Sequence, residues 1–145
     1  MAGEEPSETD LRDVVEHAAD AIEFADQLEA KAQPQAVYDE YPVVARISES
    51  RIVGDIDRLL VTPDAYQVID YKTNDLSSGT SSELAEHYRP QMLAYALALL
   101  QHDQSRNVRA SLRFTAAGVE ERFTWGPDLM TDIQSELRPM MDVVE

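Results

Sequence analysis

The chain has 145 residues, of which 43 % are hydrophobic and none is cysteine. This length suits one domain with a hydrophobic core, and the lack of cysteine excludes disulfides, thiolate zinc sites, Cys-ligated iron–sulfur clusters and cysteine nucleophiles. No run of about 18 apolar residues predicts a membrane span, and no basic-plus-apolar leader indicates secretion. We therefore expect a cytoplasmic location.

The net charge of −16 arises from 28 acidic residues against ten arginines and two lysines, Lys31 and Lys72. Such a charge argues against sequence-independent binding of nucleic acid through a basic surface. A lysine-poor, acid-rich composition resembles that of proteins from salt-loving archaea. In molar salt the Debye length is about 3 Å, so the repulsion of a polyanion would be screened. The charge lowers the expectation of nucleic-acid binding but does not remove it.

The predicted elements follow the order α-β-β-β-α-β-β-α, without an internal repeat. Residues 1–9 are predicted to be a disordered tail and residues 10–145 a single domain. The first helix, at 10–32, has an apolar face at helical spacing, formed by Leu11, Val14, Val15, Ala18, Ile22, Ala25 and Leu28. The remaining predicted elements are strands at 36–47, 51–61 and 66–73, a helix at 83–101, strands at 108–115 and 118–125, and a helix at 127–144.

The stretch VIDYKT, residues 68–73, carries two opposite charges within an apolar, β-prone run. Residues two apart in a strand share a face. We therefore predict that Asp70 and Lys72 point to one side of the sheet, and that Ile69 and Tyr71 point to the other side, into a core. A lone pair of this kind is more often a solvated strand face with a weak ion pair.

The preceding strand makes a functional interpretation stronger. A tight turn centred on residues 63–64 pairs residues whose numbers sum to 127, which places Asp57 opposite Asp70 and Asp55 opposite Lys72. Facing carboxylates cost from some tenths to about 1 kcal/mol. A divalent cation would offset this cost, since Mg²⁺ often binds one or two carboxylates together with water and substrate phosphate. Lys72 beside that ion would orient a water or stabilise charge growing on phosphorus.

Three segments, GDIDRLL (54–60), VIDYKTN (68–74) and YRPQMLAYALAL (88–99), occur in this order along the chain. Together they resemble the nuclease domain of the PD-(D/E)XK superfamily, and more narrowly the RecB/AddA-type nuclease of UvrD-like helicases, over roughly residues 10–125. The resemblance implies an α/β fold with a restriction-endonuclease-like core, in which a central mixed sheet is flanked by helices. It also implies a Mg²⁺- or Mn²⁺-dependent deoxyribonuclease, an exonuclease of DNA repair and recombination. Its partners would be DNA and a UvrD-like helicase, as subunit or parent polypeptide.

The resemblance assigns roles to individual residues. Asp57 and Asp70 match the metal-binding acids of the family, and Lys72 matches the lysine of its D-x-K motif. Gln91 and Tyr95 match the Q-x-x-x-Y pair, and all five are candidate catalytic residues. Because Gln91 and Tyr95 are four apart on a helix, they share a face from which they would bind DNA phosphate or orient the lysine.

Two further residues are weaker candidates by the same resemblance. His17 is the only histidine of the first helix and would complete the metal site, although the flanking pattern usual in the family is absent and a lone helical histidine is more often a surface or packing residue. Arg89, beside Gln91, is the candidate arginine for DNA binding. The chain contains no G-x-x-x-x-G-K-[ST] motif, so it carries no ATP site of that type.

Two alternatives stay open at the level of sequence. The first is a nuclease-like domain that no longer cuts and serves as a DNA-end or protein-binding module, which a metal-binding titration would distinguish from an enzyme. The second is a structural domain whose acids only solvate a halophilic surface. That domain would tolerate asparagine at Asp57 and Asp70 without cost.

Overall fold

The computed structural model describes residues 8–74, 76 and 79–142. The predicted tail lies outside this range except for Glu8 and Thr9, which already belong to the first helix. The element order is the predicted one. The helices and strands are α1 (Glu8–Ala32), β1 (Ala36–Ile47), β2 (Ser50–Val61), β3 (Ala65–Lys72), α2 (Ser81–His102), β4 (Asn107–Phe114), β5 (Val119–Trp125) and α3 (Met130–Asp142), with a short 3-10 helix (Pro127–Leu129) before α3.

The five strands form one mixed sheet in the order β1-β2-β3-β4-β5. Neighbouring strands are antiparallel except β3 and β4, which are parallel and are connected by α2. A parallel pair needs such a crossover because its strands begin at the same end of the sheet. The predicted α/β fold with a central mixed sheet flanked by helices is therefore confirmed. None of the described helices combines the length and apolarity that crossing a bilayer requires.

Helix α2 is the centre of the main core. It is apolar on most sides because it lies between the sheet and α3, and Leu93, Leu97 and Leu100 are almost fully buried. Burial of each leucine side chain contributes about 1.5–3 kcal/mol. Thr80 caps the helix by accepting a hydrogen bond from the Glu83 N–H at 3.2 Å, which satisfies one of the free donors of the first turn.

Helix α1 covers less of the sheet than its sequence predicts. Phe24 and Ala25 are buried in a small second cluster with Leu60 and Ile69. The predicted apolar face does not continue into the core, since its members Val14, Val15 and Ile22 are all more than half exposed. The periodicity correctly indicated an amphipathic helix, but only the C-terminal half of that face has sheet residues beneath it.

Strands β1 and β2 pair along their length except at Glu40 and Asp57, which oppose each other in the register but are not paired. Glu40 has a positive φ of 50°. On β2 the buried face changes across this point, because Ile56 and Leu59 both belong to the core on the α2 side, whereas residues three apart in a regular strand point to opposite faces. The break thus rotates the hairpin, and at Asp57 the side chains no longer alternate regularly between the two faces of the sheet.

The part of the β1–β2 hairpin beyond this break, residues 41–56, is called the arm. Its inner face packs on α2 through Tyr41, Val43, Ala45 and Ile47. Gln101 of α2 fixes the free edge of the arm, because its amide oxygen accepts the Arg46 N–H at 2.9 Å and its amide nitrogen donates to the Arg46 carbonyl at 2.7 Å. The arm is therefore held against the helix by both packing and backbone hydrogen bonds.

The positive φ at Glu40 predicts opposite effects of two substitutions. Glu40→Gly should leave the free energy of unfolding unchanged or raise it by up to about 1 kcal/mol, because glycine adopts this conformation without a steric penalty. Glu40→Val should lower it by about 1–3 kcal/mol, because a β-branched residue is strained at positive φ. Urea denaturation of both variants measures the difference, and equal stabilities would contradict the described break.

Candidate active site

The site lies where β2 and β3 separate. Their pairing follows the predicted register for four residue pairs and ends at Arg58 and Ile69. The predicted continuation to a paired Asp57 and Asp70 is wrong, because the strands diverge at this point. The Asp57 carboxylate instead accepts the Tyr71 N–H at 2.8 Å, so a side chain replaces the ladder hydrogen bond that β2 no longer makes.

The Tyr71 carbonyl faces the same gap. The N–H and C=O of one strand residue point to the same neighbour, and the Tyr71 N–H points to Asp57. The next residue shows the expected alternation, since the Lys72 carbonyl accepts the Thr115 N–H at 2.9 Å on the β4 side. A carbonyl and the Asp57 carboxylate therefore meet in the opening between β2 and β3.

Asp70 brings a second carboxylate to this region, and it is only 2 % exposed. Burial raises its pKa to about 6, the nearby Lys72 ammonium lowers it, and the Asp57 carboxylate raises it. The Lys72 Nζ lies 2.9 Å from Asp70 Oδ2, so the ammonium and the buried carboxylate form a close ion pair. Within the described residues this ammonium is the one recorded polar contact of Asp70 Oδ2.

Lys72 is held from three directions. Besides Asp70, its ammonium donates to Gln91 Oε1 at 2.8 Å and lies 4.3 Å from the centre of the Tyr88 ring, at which distance the ring face attracts a cation. The Tyr88 hydroxyl in turn donates to Asn74 Oδ1 at 2.9 Å. These contacts leave the ammonium little freedom to leave the gap.

Gln91 and Tyr95 extend the network to the arm. The Gln91 amide donates to the Tyr95 hydroxyl at 3.1 Å, and this hydroxyl donates to the Asp55 carbonyl at 2.8 Å. Burial, with the charges of Asp70 and Asp57, raises the pKa of Tyr95 to about 12, so the hydroxyl stays protonated as a donor. The structure therefore brings together Asp57, Asp70, Lys72, Gln91 and Tyr95, as the sequence predicted.

His17 contacts the end of β4. Its Nδ1 lies 2.7 Å from the Thr115 hydroxyl, which donates to the Lys72 carbonyl at 3.2 Å. Among the described residues His17 makes no hydrogen bond or ion pair with Asp57 or Asp70. In this structure the contact of His17 is with the end of β4, and its role as a metal ligand stays a prediction.

Arg89 is bound to a residue of α3. Its guanidinium binds Glu136 of α3 through two hydrogen bonds, at 2.6 and 3.2 Å, and lies about 6 Å from the ring centres of Phe123 and Trp125. A bidentate arginine–carboxylate pair of this kind is strong and directional. Arg89 connects α2 to α3, and its binding of DNA stays a prediction.

Two functional residues were missed as site residues in the sequence. Tyr88 stands in the quoted segment YRPQMLAYALAL, and its spacing of three from Gln91 on a helix was the available signal. Gly54 precedes the strand acids, and a Cβ atom added to it would lie 3.0 Å from Tyr95 Cε1. Only a residue without a side chain lets the Tyr95 ring approach the arm this closely.

A sequence model of the PD-(D/E)XK nuclease superfamily matches residues 3–139. The ATP-dependent helicase/nuclease of Desulforudis audaxviator (strain MP104C) has a subunit that is 36 % identical over 64 residues, which make up 43 % of this chain and 5 % of that protein. The chain thus matches a small part of that relative's length. The crystal structure of SSO0001 superposes with a TM-score of 0.49 at 13 % identity, over 85 % of this chain and 55 % of that chain.

The raised pKa of Asp70 predicts a pH-dependent effect of Asp70→Asn in the metal-free protein. Between the ordinary pKa of 3.8 and about 6, the folded state keeps a proton that the unfolded state releases, so stability falls as the pH rises through this range. Asp70→Asn removes that loss and should raise the free energy of unfolding at pH 7 by about 3 kcal/mol, with the gain disappearing near pH 4. Denaturation in EDTA at both pH values measures it.

Asp55→Asn is the matched control, because Asp55 is exposed on the neighbouring strand and should change stability by less than about 0.5 kcal/mol. A loss of stability in Asp70→Asn at pH 7 would contradict the burial argument.

The close approach of Gly54 to Tyr95 predicts coupled stabilities. Gly54→Ala should lower the free energy of unfolding by about 1–3 kcal/mol, because the new Cβ displaces a buried ring whose hydroxyl is hydrogen-bonded. In Tyr95→Ala the ring is gone, so adding Gly54→Ala should then cost much less. A double-mutant cycle by urea denaturation gives the coupling energy, and additive effects would show that the two residues do not constrain each other.

Proposed function

The chain belongs to the PD-(D/E)XK nuclease superfamily, and from this premise we propose that it is a deoxyribonuclease that requires Mg²⁺ or Mn²⁺. The observation that supports this best is the Lys72 ammonium, held 2.9 Å from a buried carboxylate at a gap that also receives the Asp57 carboxylate. Burial of a carboxylate and an ammonium together is costly, and such groups are typical of catalytic sites.

The residues at the gap fit a hard divalent cation. Asp57, Asp70 and the Tyr71 carbonyl would hold the ion, and Asp70 Oδ2 is a buried oxygen whose one recorded polar contact within the described residues is the Lys72 ammonium. Two carboxylates and one carbonyl would leave positions for water and substrate phosphate, as Mg²⁺ prefers. When bound, the ion supplies positive charge at the scissile phosphate.

The chain's own side chains then position the reacting groups. An ammonium has three donors, of which two are directed to Asp70 and Gln91. The third is available for an attacking water or a phosphate oxygen, and so Lys72 aligns that water or stabilises charge on the phosphoryl group. Tyr88, Gln91 and Tyr95 act on the reaction by holding Lys72 in place.

We also propose a biological role for the nuclease, in DNA repair or recombination together with a helicase. The matched relative is named for helicase and nuclease functions, which supports a role in DNA repair or recombination. We propose that a UvrD-like helicase, either as a separate polypeptide or as part of a longer one, delivers a DNA strand to this site. Cleavage would then be exonucleolytic, with substrate choice set by delivery.

Cleavage of end-labelled single- and double-stranded DNA tests the nuclease. In high KCl with Mg²⁺ or Mn²⁺, Lys72→Ala should reduce the rate at least 100-fold, as expected for the loss of a group that stabilises the transition state. Lys31→Ala is the matched control, because it removes the other lysine of the chain, which is exposed on α1. An equal rate for Lys72→Ala and the unaltered chain would contradict the proposed role of the lysine.

A Mn²⁺ titration separates the enzyme from a DNA-end or protein-binding module. The unaltered chain should bind the ion, and Asp57→Asn and Asp70→Asn should each weaken binding by about tenfold or more. Metal binding without cleavage on any substrate would favour delivery by the helicase, and adding that partner should then restore cleavage. A chain that neither binds the ion nor cuts DNA would leave the binding module.

A further inference from the structure

The outer face of the arm carries two arginines side by side. Arg46 on β1 and Arg51 on β2 are paired in the register. The Arg46 N–H and C=O point away from β2, because they are bonded to Gln101. The pair is therefore of the non-hydrogen-bonded kind, in which the Cα atoms are only about 4.5 Å apart and the side chains are closest.

This arrangement has no evident structural benefit. Like charges directly opposite each other on a sheet are destabilising. Both side chains are exposed, and within the part of the chain that the structure describes neither forms an ion pair, although Glu49 occupies the turn between them. An anion bound between the two arginines would offset their repulsion.

The contrast with the other arginines supports a ligand. The chain has 28 acidic residues, and six arginines are bound to carboxylates: Arg58, Arg89, Arg106, Arg109, Arg113 and Arg122. Arg46 and Arg51 are not among these six, and they are the two arginines that the register places directly opposite each other. The position of this pair is also fixed, because Gln101 holds the backbone of Arg46 against α2.

The neighbouring pair on the same face is apolar. Val44 and Val53 oppose each other next to the arginines and are 45 % and 72 % exposed. An exposed aliphatic surface beside two cations suits a ligand with both phosphate groups and less polar sugar and base surfaces.

Strand β2 connects Arg51 to the catalytic gap. Asp55 lies on this strand, and the Asp55 carbonyl is part of the hydrogen-bond network that ends at Lys72. Arg51 is six residues from Asp57, which is about 20 Å along an extended strand. A nucleic-acid strand of several nucleotides is long enough to reach from the gap to the arginines.

We propose that the outer face of the arm is a phosphate-binding surface, on which Arg46 and Arg51 hold the backbone of the DNA strand whose scissile phosphate lies at the gap. This inference rests on the proposed nuclease function and specifies where its substrate continues beyond the site. The positive pair supplies local attraction in a chain whose net charge repels DNA.

The double variant Arg46→Gln/Arg51→Gln tests the surface. Fluorescence anisotropy with a 20-nucleotide single strand in EDTA, at several KCl concentrations, gives the Kd and its salt dependence. Loss of two phosphate contacts should raise the Kd about tenfold or more and reduce the slope of log Kd against log salt by about 1.4.

Arg12→Gln/Arg122→Gln is the matched control. It removes the same charge from exposed positions elsewhere on the chain, so any general electrostatic effect is equal in the two variants. An equal Kd and slope in the arm and control variants would overturn the inference. A dimer of the unaltered chain in sedimentation velocity, dissociated by Val53→Asp, together with an unchanged Kd, would assign the face to a second copy instead.

The outcomes also separate this inference from the nuclease proposal. Metal-dependent cleavage that is equally fast with and without the arm arginines on a 20-nucleotide strand would support the nuclease and overturn the phosphate-binding surface. Arm-dependent binding without cleavage by the unaltered chain, even with metal and a helicase, would support the surface and overturn the nuclease.

Discussion

The hydrogen bond from the Tyr71 N–H to the Asp57 carboxylate makes the opening in the sheet possible. Where two strands separate, the backbone groups between them lose their partners, and a buried group left unpaired costs about 1–3 kcal/mol. Asp57 satisfies one such donor with a side chain, so β2 can turn away from β3 without that cost. The break at Glu40 on β1 lets the neighbouring strand follow. At this point the Asp57 carboxylate replaces a backbone group of β2 as the partner of the Tyr71 N–H. The gap depends on this replacement, and so do the orientation of the arm and the placement of Tyr95 against Gly54.

The stability of the fold and the chemistry of the site have different sources. Asp70 is buried where its ionised form is disfavoured, and Lys72 and Asp57 oppose each other in their effects on its pKa. The leucines of α2, packed between the sheet and α3, contribute the burial energy that outweighs this cost. One face of α2 thus stabilises the domain, and residues of the same helix, Tyr88 and Gln91, hold the lysine. Local destabilisation at a functional site, offset by a well-packed core, is a general pattern in proteins.

The sequence was sufficient where the signal is local. The turn after β2 and the alternation of β3 together predicted the register and the common side of Asp70 and Lys72, because turn geometry and strand period act over a few residues. The sequence was insufficient where the contact of a side chain depends on a residue far away along the chain. Arg89 pairs with Glu136, which is 47 residues away, and His17 contacts Thr115, which is 98 residues away. There was also no local signal in the sequence that the β2–β3 pairing ends at Arg58 and Ile69. The residues of β2 on the far side of Arg58 alternate as in a regular strand.

Periodicity has a similar limit in α1. It reports which side of a helix is apolar, but the area that becomes buried depends on how far the sheet extends beneath it. Val14 and Ile22 therefore fit the helical pattern and still remain exposed. The arm shows the converse case, because two opposed arginines on an alternating strand resemble an ordinary polar face until their pairing is known.

The two hydrogen bonds between Gln101 and Arg46 also affect how the protein behaves at high concentration. β1 is at the edge of the sheet, and edge strands present unpaired N–H and C=O groups that can join the sheet of another molecule. The Gln101 amide satisfies both groups of Arg46, in the way that a neighbouring strand would. A second chain could pair there only by displacing this side chain from α2. A single glutamine on a helix therefore closes part of the sheet edge and opposes edge-to-edge aggregation.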